Sequence, residues 1–545
     1  MNANRSTGAL GKALPAVLTA MLMVLSLNTS AHAVSMDTLK ELHNLVTDWQ
    51  VAEARRRLEP LKAESPEDWD LGFVEARLLF FEGRYGESKV LLESLGDSLS
   101  GSTDPEAIGR VASMMDFRKL VTETHEALKD FDEFTTEDGR FTVRYKGRDE
   151  IMVPWLVDVL RKADAAFTAD FDFKPEGRVL VELYPQINYL AKVSPLTEED
   201  IETSGTIALC KYNRLMFTSP RALVRGYGWR DTVSHEFVHY YITHVSRNSV
   251  PIWLHEGIAK FEEARWRADP GLPLDPPQED LLARSLKADK LVTFQQMHPS
   301  MAKLPSQEAA SLAYAEVHTV INYLYGKSGY GGLNTLLAAL KSGQDMNGAL
   351  TTAYGVDLDG LWKVWKKYMK RQGLKTYPGL VQTSLKFKRP GEEAKPGEEP
   401  EIDFSTISEK KIKDFTHLGE LLRARGRHTG AIKEYEKAIA LGGDGNPVIQ
   451  NSVAKSLIAV GRHNEVPAAL ERVRSYYPTF LTTFMNLGEA HLHQDQVSEA
   501  LEAFENALGI NPFHPRVHEA LTGLYEKAGR AEEAARSRKA LETLK

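Results

Sequence analysis

The sequence predicts an α+β protein: a mostly helical domain with a small mixed sheet, flanked on both sides by α-helical solenoid segments. Three observations carry this. Short runs rich in Val, Leu, Tyr and Phe, which read as strands, stand between residues 141 and 218. From Asp231 to about Lys370 apolar residues recur at the helical period. Toward the C-terminus a turn dipeptide returns at Gly426-Arg427, Gly461-Arg462, Asp495-Gln496 and Gly529-Arg530, at intervals of 35, 34 and 34 residues. A fixed period of that size marks stacked helix pairs.

The chain of 545 residues is long enough for several domains. Its 42% apolar and 26% charged residues are ordinary for globular material. A net charge of −8 offers no basic footprint, which argues against nucleic acid as a partner. At the N-terminus Arg5 and Lys12 precede "ALPAVLTAMLMVLSL" and then "AHA" at Ala31–Ala33. That order of basic, apolar and small residues reads as a signal peptide over 1–33, with an uncleaved anchor as the rival. The expected mature chain is exported, periplasmic or secreted, and has no membrane span. One cysteine, Cys210, cannot form an internal disulfide, and its apolar setting reads as a buried structural thiol.

Residues 34–133 read as a helical, repeat-like region. "LGFVEARLLFFEGRYGESKVLLESL" carries helix-period positions on both sides of Gly83-Arg84, and about one and a half loose units are expected. A mixed domain follows over 134–384. "RFTVRY" and "RVLVELYP" read as strands separated by the helix "PWLVDVLRKADAAFTADF". "GTIALCKYNRLMFTSP" reads as two strands around a turn at Tyr212-Asn213. Residues 385–405, with "KRPGEEAKPGEEPE", read as a solvated linker.

Repeats fill 406–545. In "FMNLGEAHLHQDQVSEALEAFENALGINP", Leu487-Gly488, Ala500, Phe504, Ala507 and Pro512 form a pattern that resembles the tetratricopeptide repeat. The first unit matches at Leu418-Gly419, Ala431, Tyr435 and Ala438, and the last at Leu521, Tyr525 and Ala534. The second departs, with Val466 and Leu470 at the small and aromatic positions. Small residues let the paired helices approach, and the aromatic fills the groove between them.

The chemistry concentrates in "SHEFVHYYITHVSRNSVPIWLHEGIAKFEE", Ser234–Glu263. His235 and His239 are four apart, so a helix puts both on one face, where they can reach one Zn2+ at about 2.0–2.1 Å. Glu236, about 100° around the helix, stands beside the metal as a base for a metal-bound water. A catalytic zinc takes a third protein ligand. Glu256 is the candidate, sixteen residues past His239, enough for a loop and a second helix opening near Pro251. Gly257 is costly inside a helix, and close approach of these two helices is a reason to keep it. Glu263 returns nearly to the face of Glu256 and is expected to orient a ligand histidine. Glu262 is expected in solvent, and His244 and His255 as non-ligands.

HExxH followed by Glu-Gly on the next helix resembles the gluzincin zinc peptidases, and more closely the peptidase MA-like domain of exported bacterial proteins. The likeness runs from about Phe141 to Arg371 and takes in "MFTSP", "HEFVH", "PIWLHEGIAKFEE" and "AYGVDLDGLWKVWKKYMKR". It implies His235, His239 and Glu256 as metal ligands and Glu236 as the catalytic carboxylate. It also implies an oxyanion-stabilising Tyr or His downstream, for which Tyr314 and His318 in "AYAEVHTVINYL" are the candidates, Tyr314 first. The "GxMEN" segment of the larger aminopeptidases has no counterpart here, which points to an endopeptidase. By analogy "GTIAL" is the sheet edge that holds an extended peptide.

The expectation is thus an exported zinc metallopeptidase, acting on a peptide or protein substrate, with repeats that bind a protein partner. The rival is a repeat scaffold or envelope-assembly chaperone whose zinc domain is degenerate or structural. Glu236 separates the two, since a structural site needs no base.

Overall fold

The computed structural model describes residues 34–381, 384–389, 392 and 404–545. The expected signal segment, and most of the Pro/Glu/Gly-rich linker, lie outside the described residues. The chain divides into two compact units, with the boundary between Lys129 and Asp130.

The first unit is helical: α1 (Met36–Thr47), α2 (Val51–Glu64), α3 (Trp69–Phe81), α4 (Tyr85–Ser98) and α5 (Pro105–Leu128). Gly83 turns α3 into α4 at φ 77°, a left-handed conformation open to glycine. That makes two helix pairs and a fifth helix, more than the one and a half units expected. Ser88 Oγ donates to Ala76 O at 2.7 Å and fastens α4 to α3.

The second unit opens with β1 (Asp132–Thr135), β2 (Phe141–Tyr145), α6 (Val153–Asp170), β3 (Val179–Tyr184), α7 (Ile187–Val193), α8 (Glu198–Ser204), β4 (Ala208–Lys211) and β5 (Arg214–Thr218). The strand order is β1-β2-β3-β5-β4. The central three run parallel, and β1 and β4 are antiparallel edges. β3 and β5 are buried along their whole length, which explains their near-continuous apolar runs. β1, "DEFT", is exposed at all four positions and straddles the boundary expected at 133/134, without the alternation that would announce a strand. Tyr212 and Asn213, at φ 57° and 61°, make the two-residue turn between β4 and β5.

Helices follow: α9 (Trp229–Ser246), α10 (Ile252–Glu262), α11 (Pro276–Ala288), α12 (Gln307–Lys341), α13 (Met346–Tyr354) and α14 (Leu358–Met369). α12 is kinked at Gly329, with φ 56°. No described helix is long and apolar enough to cross a membrane. Residues 386–388, expected to belong to the linker, add to the domain instead. Val224 N–H donates to Lys386 O at 2.9 Å and Lys388 N–H to Ala222 O at 2.8 Å. Phe387 forms an isolated antiparallel bridge with Leu223 between these two bonds.

Eight described helices complete the chain: α15 (Lys410–Ala424), α16 (His428–Ala440), α17 (Pro447–Ala459), α18 (Val466–Tyr476), α19 (Leu481–His493), α20 (Val497–Leu508), α21 (Pro515–Lys527) and α22 (Ala531–Leu544). Each pair turns at a left-handed residue, and Asp495, φ 54°, does what glycine does in the other three. A Cβ on Gly419 would stand 2.4 Å from the Tyr435 ring, and one on Gly488 2.5 Å from the Phe504 ring. The glycine and aromatic positions are therefore one packing device. In the departing unit Val466 and Leu470 are fully buried and fill the same space with aliphatic bulk.

Candidate metal centre

α9 is buried on nearly every side, so it shows no single apolar stripe. One flank packs aromatic rings: Phe237 against Phe141 of β2 (centroids 5.8 Å) and Phe167 of α6 (5.9 Å). The other flank carries His235, Glu236 and His239. The two imidazole centroids are 4.8 Å apart and their planes nearly perpendicular. α10 begins after Pro251 and brings Glu256 to the same place. Gly257 marks a close approach, but not to α9. A Cβ there would stand 2.8 Å from Ile321 Cγ1 and 3.1 Å from Val317 O, so the tight partner is α12.

Glu256 Oε2 lies 3.3 Å from His235 Nε2 and 3.3 Å from His239 Nε2. The three donor atoms all fall within 4.8 Å of one another. Donors about 2.0–2.2 Å from a tetrahedral zinc stand ~3.3–3.4 Å apart, and two imidazoles with one carboxylate are a catalytic zinc's ligand set. The residues present therefore fit the ion.

Each imidazole is held from behind. His235 Nδ1 is 3.5 Å from Glu263 Oε2, and Lys260 Nζ holds the other oxygen of Glu263 at 2.5 Å. His239 Nδ1 meets His255 Nδ1 at 2.5 Å, and His255 Nε2 meets Thr243 Oγ1 at 3.3 Å. Sequence reasoning placed His255 off the metal, which the geometry repeats, but missed its part in holding His239. Spacing along α10 carries no signal for it.

The charges follow from burial and pairing. Burial works against protonation of His235, yet hydrogen bonds to Glu256 and Glu263 lift it to about 10. Burial opposes ionisation of Glu256, and the two histidines overcome it and hold the carboxyl far below its ordinary value. Burial raises Glu236, while the histidines and the Cys210 backbone N–H pull the other way. Glu236 Oε2 is buried and has no hydrogen-bond partner in the protein.

Tyr314 of α12 reaches the site. Its ring centroid is 6.0 Å from that of His235, and the Glu256 carboxylate acts on its hydroxyl. With His235, Glu236 and Ala208 it lines a cleft of about 200 Å³. His318 does not line this cleft, against expectation. One turn further along α12, its Nε2 is 2.9 Å from Leu272 O and its ring lies beside Phe261. Glu262, expected in solvent, is fully buried. It sits 3.3 Å from Tyr330 Oη, and burial lifts its carboxyl to about 8. His244 is engaged elsewhere, 3.2 Å from Asn213 Oδ1. Burial, then the charges of Glu236 and Glu256, hold the Cys210 thiol well above its ordinary value, so it is no ready nucleophile.

Residues 197–371 match the family model of the Peptidase MA superfamily. The chain carries a peptidase MA domain. That match contains α9, α10 and Tyr314, the whole of the centre just described. Residues 481–514 match the family model of a tetratricopeptide repeat. No curated protein matches the chain. Among solved structures, "MamA MSR-1 C2" is 24% identical and covers 26% of this chain and 82% of its own, with a TM-score of 0.23. "Crystal structure of MamA protein" is 19% identical over 26% and 78%, also at 0.23. The thermophilic tetratricopeptide protein TTC0263 of Thermus thermophilus is 21% identical over 25% and 74%, at 0.22.

Proposed function

We propose that the chain is an exported zinc-dependent endopeptidase whose repeats bind its protein substrate or a protein partner. The observation that carries the reading is Glu236: a buried carboxylate with one oxygen unpaired in the protein, beside three converging zinc-type donors. A purely structural site has no use for it. Export rests on the leader read in residues 1–33.

A bound zinc supplies a Lewis acid that polarises the scissile carbonyl and acidifies a water. His235, His239 and Glu256 would hold it. Glu236 takes the proton of the attacking water and returns it to the leaving amine. Tyr314 donates a hydrogen bond to the carbonyl oxygen as charge develops there. Burial, then Glu256 and Glu236, raise the Tyr314 hydroxyl well above its ordinary value, so it stays a donor at neutral pH.

The outer edge of β4 offers a place for the peptide backbone. Lys211 and Arg214 flank the two-residue turn, so the amide groups of Ala208 and Cys210 face away from β5. Thr218 N–H donating to Ile207 O at 2.7 Å fits the same register. The amide groups of Ala208 and Cys210 are therefore placed to pair with an extended strand.

Metal analysis of purified protein tests the reading. Wild type should carry about one zinc and His239→Ala little, while Glu236→Gln keeps the metal and loses peptide hydrolysis by roughly 10²–10⁴-fold. Unchanged hydrolysis in Glu236→Gln would refute it.

A further inference from the structure

The helix bearing the HExxH residues does not start in free space. Tyr227 N–H donates to Ile510 O at 3.1 Å, and Trp229 Nε1 donates to Leu508 O at 3.0 Å. Gly226, at φ 73°, passes so close that a Cβ would meet Ile510 O at 2.4 Å. These three residues lead into or open α9, and Leu508 and Ile510 end α20 and its exit turn. A second seat lies along α22, where Arg536 pairs with Asp158 and Lys539 Nζ stands 2.6 Å from Glu150. The repeats are thus fastened to the peptidase MA domain by specific contacts, and one set of them fixes the start of the metal-site helix.

Beside that seat runs an open groove of about 580 Å³, within the ~300–1,000 Å³ common for ligand sites. Trp266 and Leu272 line it from the peptidase side, and Pro478, Thr479, Phe484 and Asn506 from the repeats. It shares Ile207, Thr232, Lys260, Glu263 and Gln278 with the cleft that holds His235, Glu236 and Tyr314. The two depressions are one. Their charges largely cancel in place: Lys260 pairs with Glu263, and Arg267 with Asp231. Leu272 is an exposed apolar side chain at the rim, and Pro478 is exposed on the repeat side. The groove thus offers apolar side chains to a ligand from both walls.

We propose that the repeats form one wall of the substrate channel, and that this channel takes an extended polypeptide with a large apolar side chain a few residues from the scissile bond. The proposal rests on the peptidase reading above. It differs from a tethered adaptor, because a wall matters for short peptides as well as for folded proteins.

The test uses the zinc-loaded full chain and a defined library of unstructured peptides of about ten residues, with cleavage sites read by mass spectrometry. Wild type should enrich Leu, Phe or Met at one fixed position near the cut. Thr479→Trp and Asn506→Trp put bulk into the groove from exposed positions. Each should raise KM several-fold, with kcat and zinc content unchanged. Leu272→Ser, also exposed, should flatten the apolar preference without changing zinc content. Wild-type kinetics in both tryptophan variants, or no apolar enrichment in wild type, would overturn the wall. Hydrolysis that depends on Glu236 but ignores positions 479, 506 and 272 refutes the wall alone. Hydrolysis unaffected by Glu236→Gln refutes the peptidase reading and the wall with it.

Discussion

The Nδ1 atoms of His239 and His255 face each other at 2.5 Å. One must donate and the other accept. With His239 Nε2 holding the zinc beside Glu256, the His239 proton would sit on Nδ1, where His255 would accept it and donate from Nε2 to Thr243 Oγ1. Burial, with His239 beside it, holds His255 far below its ordinary pKa, which keeps it neutral and able to accept. His235, by contrast, is backed by a carboxylate. Partners of this kind are worth about 10–100-fold in metal affinity. His255→Ala should lower zinc affinity by that factor in competition with a chelator, and His255→Asn, which restores an acceptor, should recover part of it.

Gly257→Ala should destabilise the protein. Alanine gains about 1 kcal/mol of helix propensity, but overpacking a tight contact costs about 1–3 kcal/mol. The new methyl would meet Ile321 Cγ1 at 2.8 Å and Val317 at 3.2 Å, neither of them a loose side-chain end. Pushing α10 off α12 also shifts Glu256 relative to α9. A lower Tm with excess chelator present, together with weaker zinc binding, is the expected pair of results.

What could be read from the sequence was whatever local spacing controls. Helical spacing put His235 and His239 on one face, and Gly419 with Tyr435 announced a repeat because a missing Cβ and a ring share one volume. The strands β2 to β5 showed through their composition. What could not be read depends on partners distant in the chain. Glu262 is buried against Tyr330, beyond the kink at Gly329. His318, four residues from Tyr314, is drawn to the carbonyl of Leu272 in a loop with no periodic signal. β1 exists because β2 offers it an edge, not because "DEFT" favours strand.

Glu316 gives a pH prediction separate from the metal. It is fully buried in α12, with Oε1 accepting Val292 N–H at 3.0 Å and Oε2 unpartnered. Burial raises its carboxyl from 4.5 to about 8, against the pull of that N–H and of Lys366. A folded-state pKa above the unfolded one means that the stabilising contribution is complete below about pH 4.5 and is lost as pH rises through about 8. Glu316→Gln cannot ionise. Denaturant unfolding should show the variant gaining on wild type between about pH 5 and 8.5, by on the order of a few kcal/mol.

Tyr314→Phe separates oxyanion support from metal binding. Tyr314 lines the cleft with Glu236, and its ring packs near His235. Phenylalanine keeps the ring and removes only the donor. Zinc content and folding should therefore hold, while kcat falls about 10²–10³-fold, the usual cost of one oxyanion donor, with KM little changed. His318→Gln is the matched control on the same helix. It still has an amide donor for Leu272 O and lines the adjoining groove rather than the cleft beside Glu236, so its kcat should stay within a few-fold of wild type. A large kcat loss in His318→Gln with none in Tyr314→Phe would reverse the assignment.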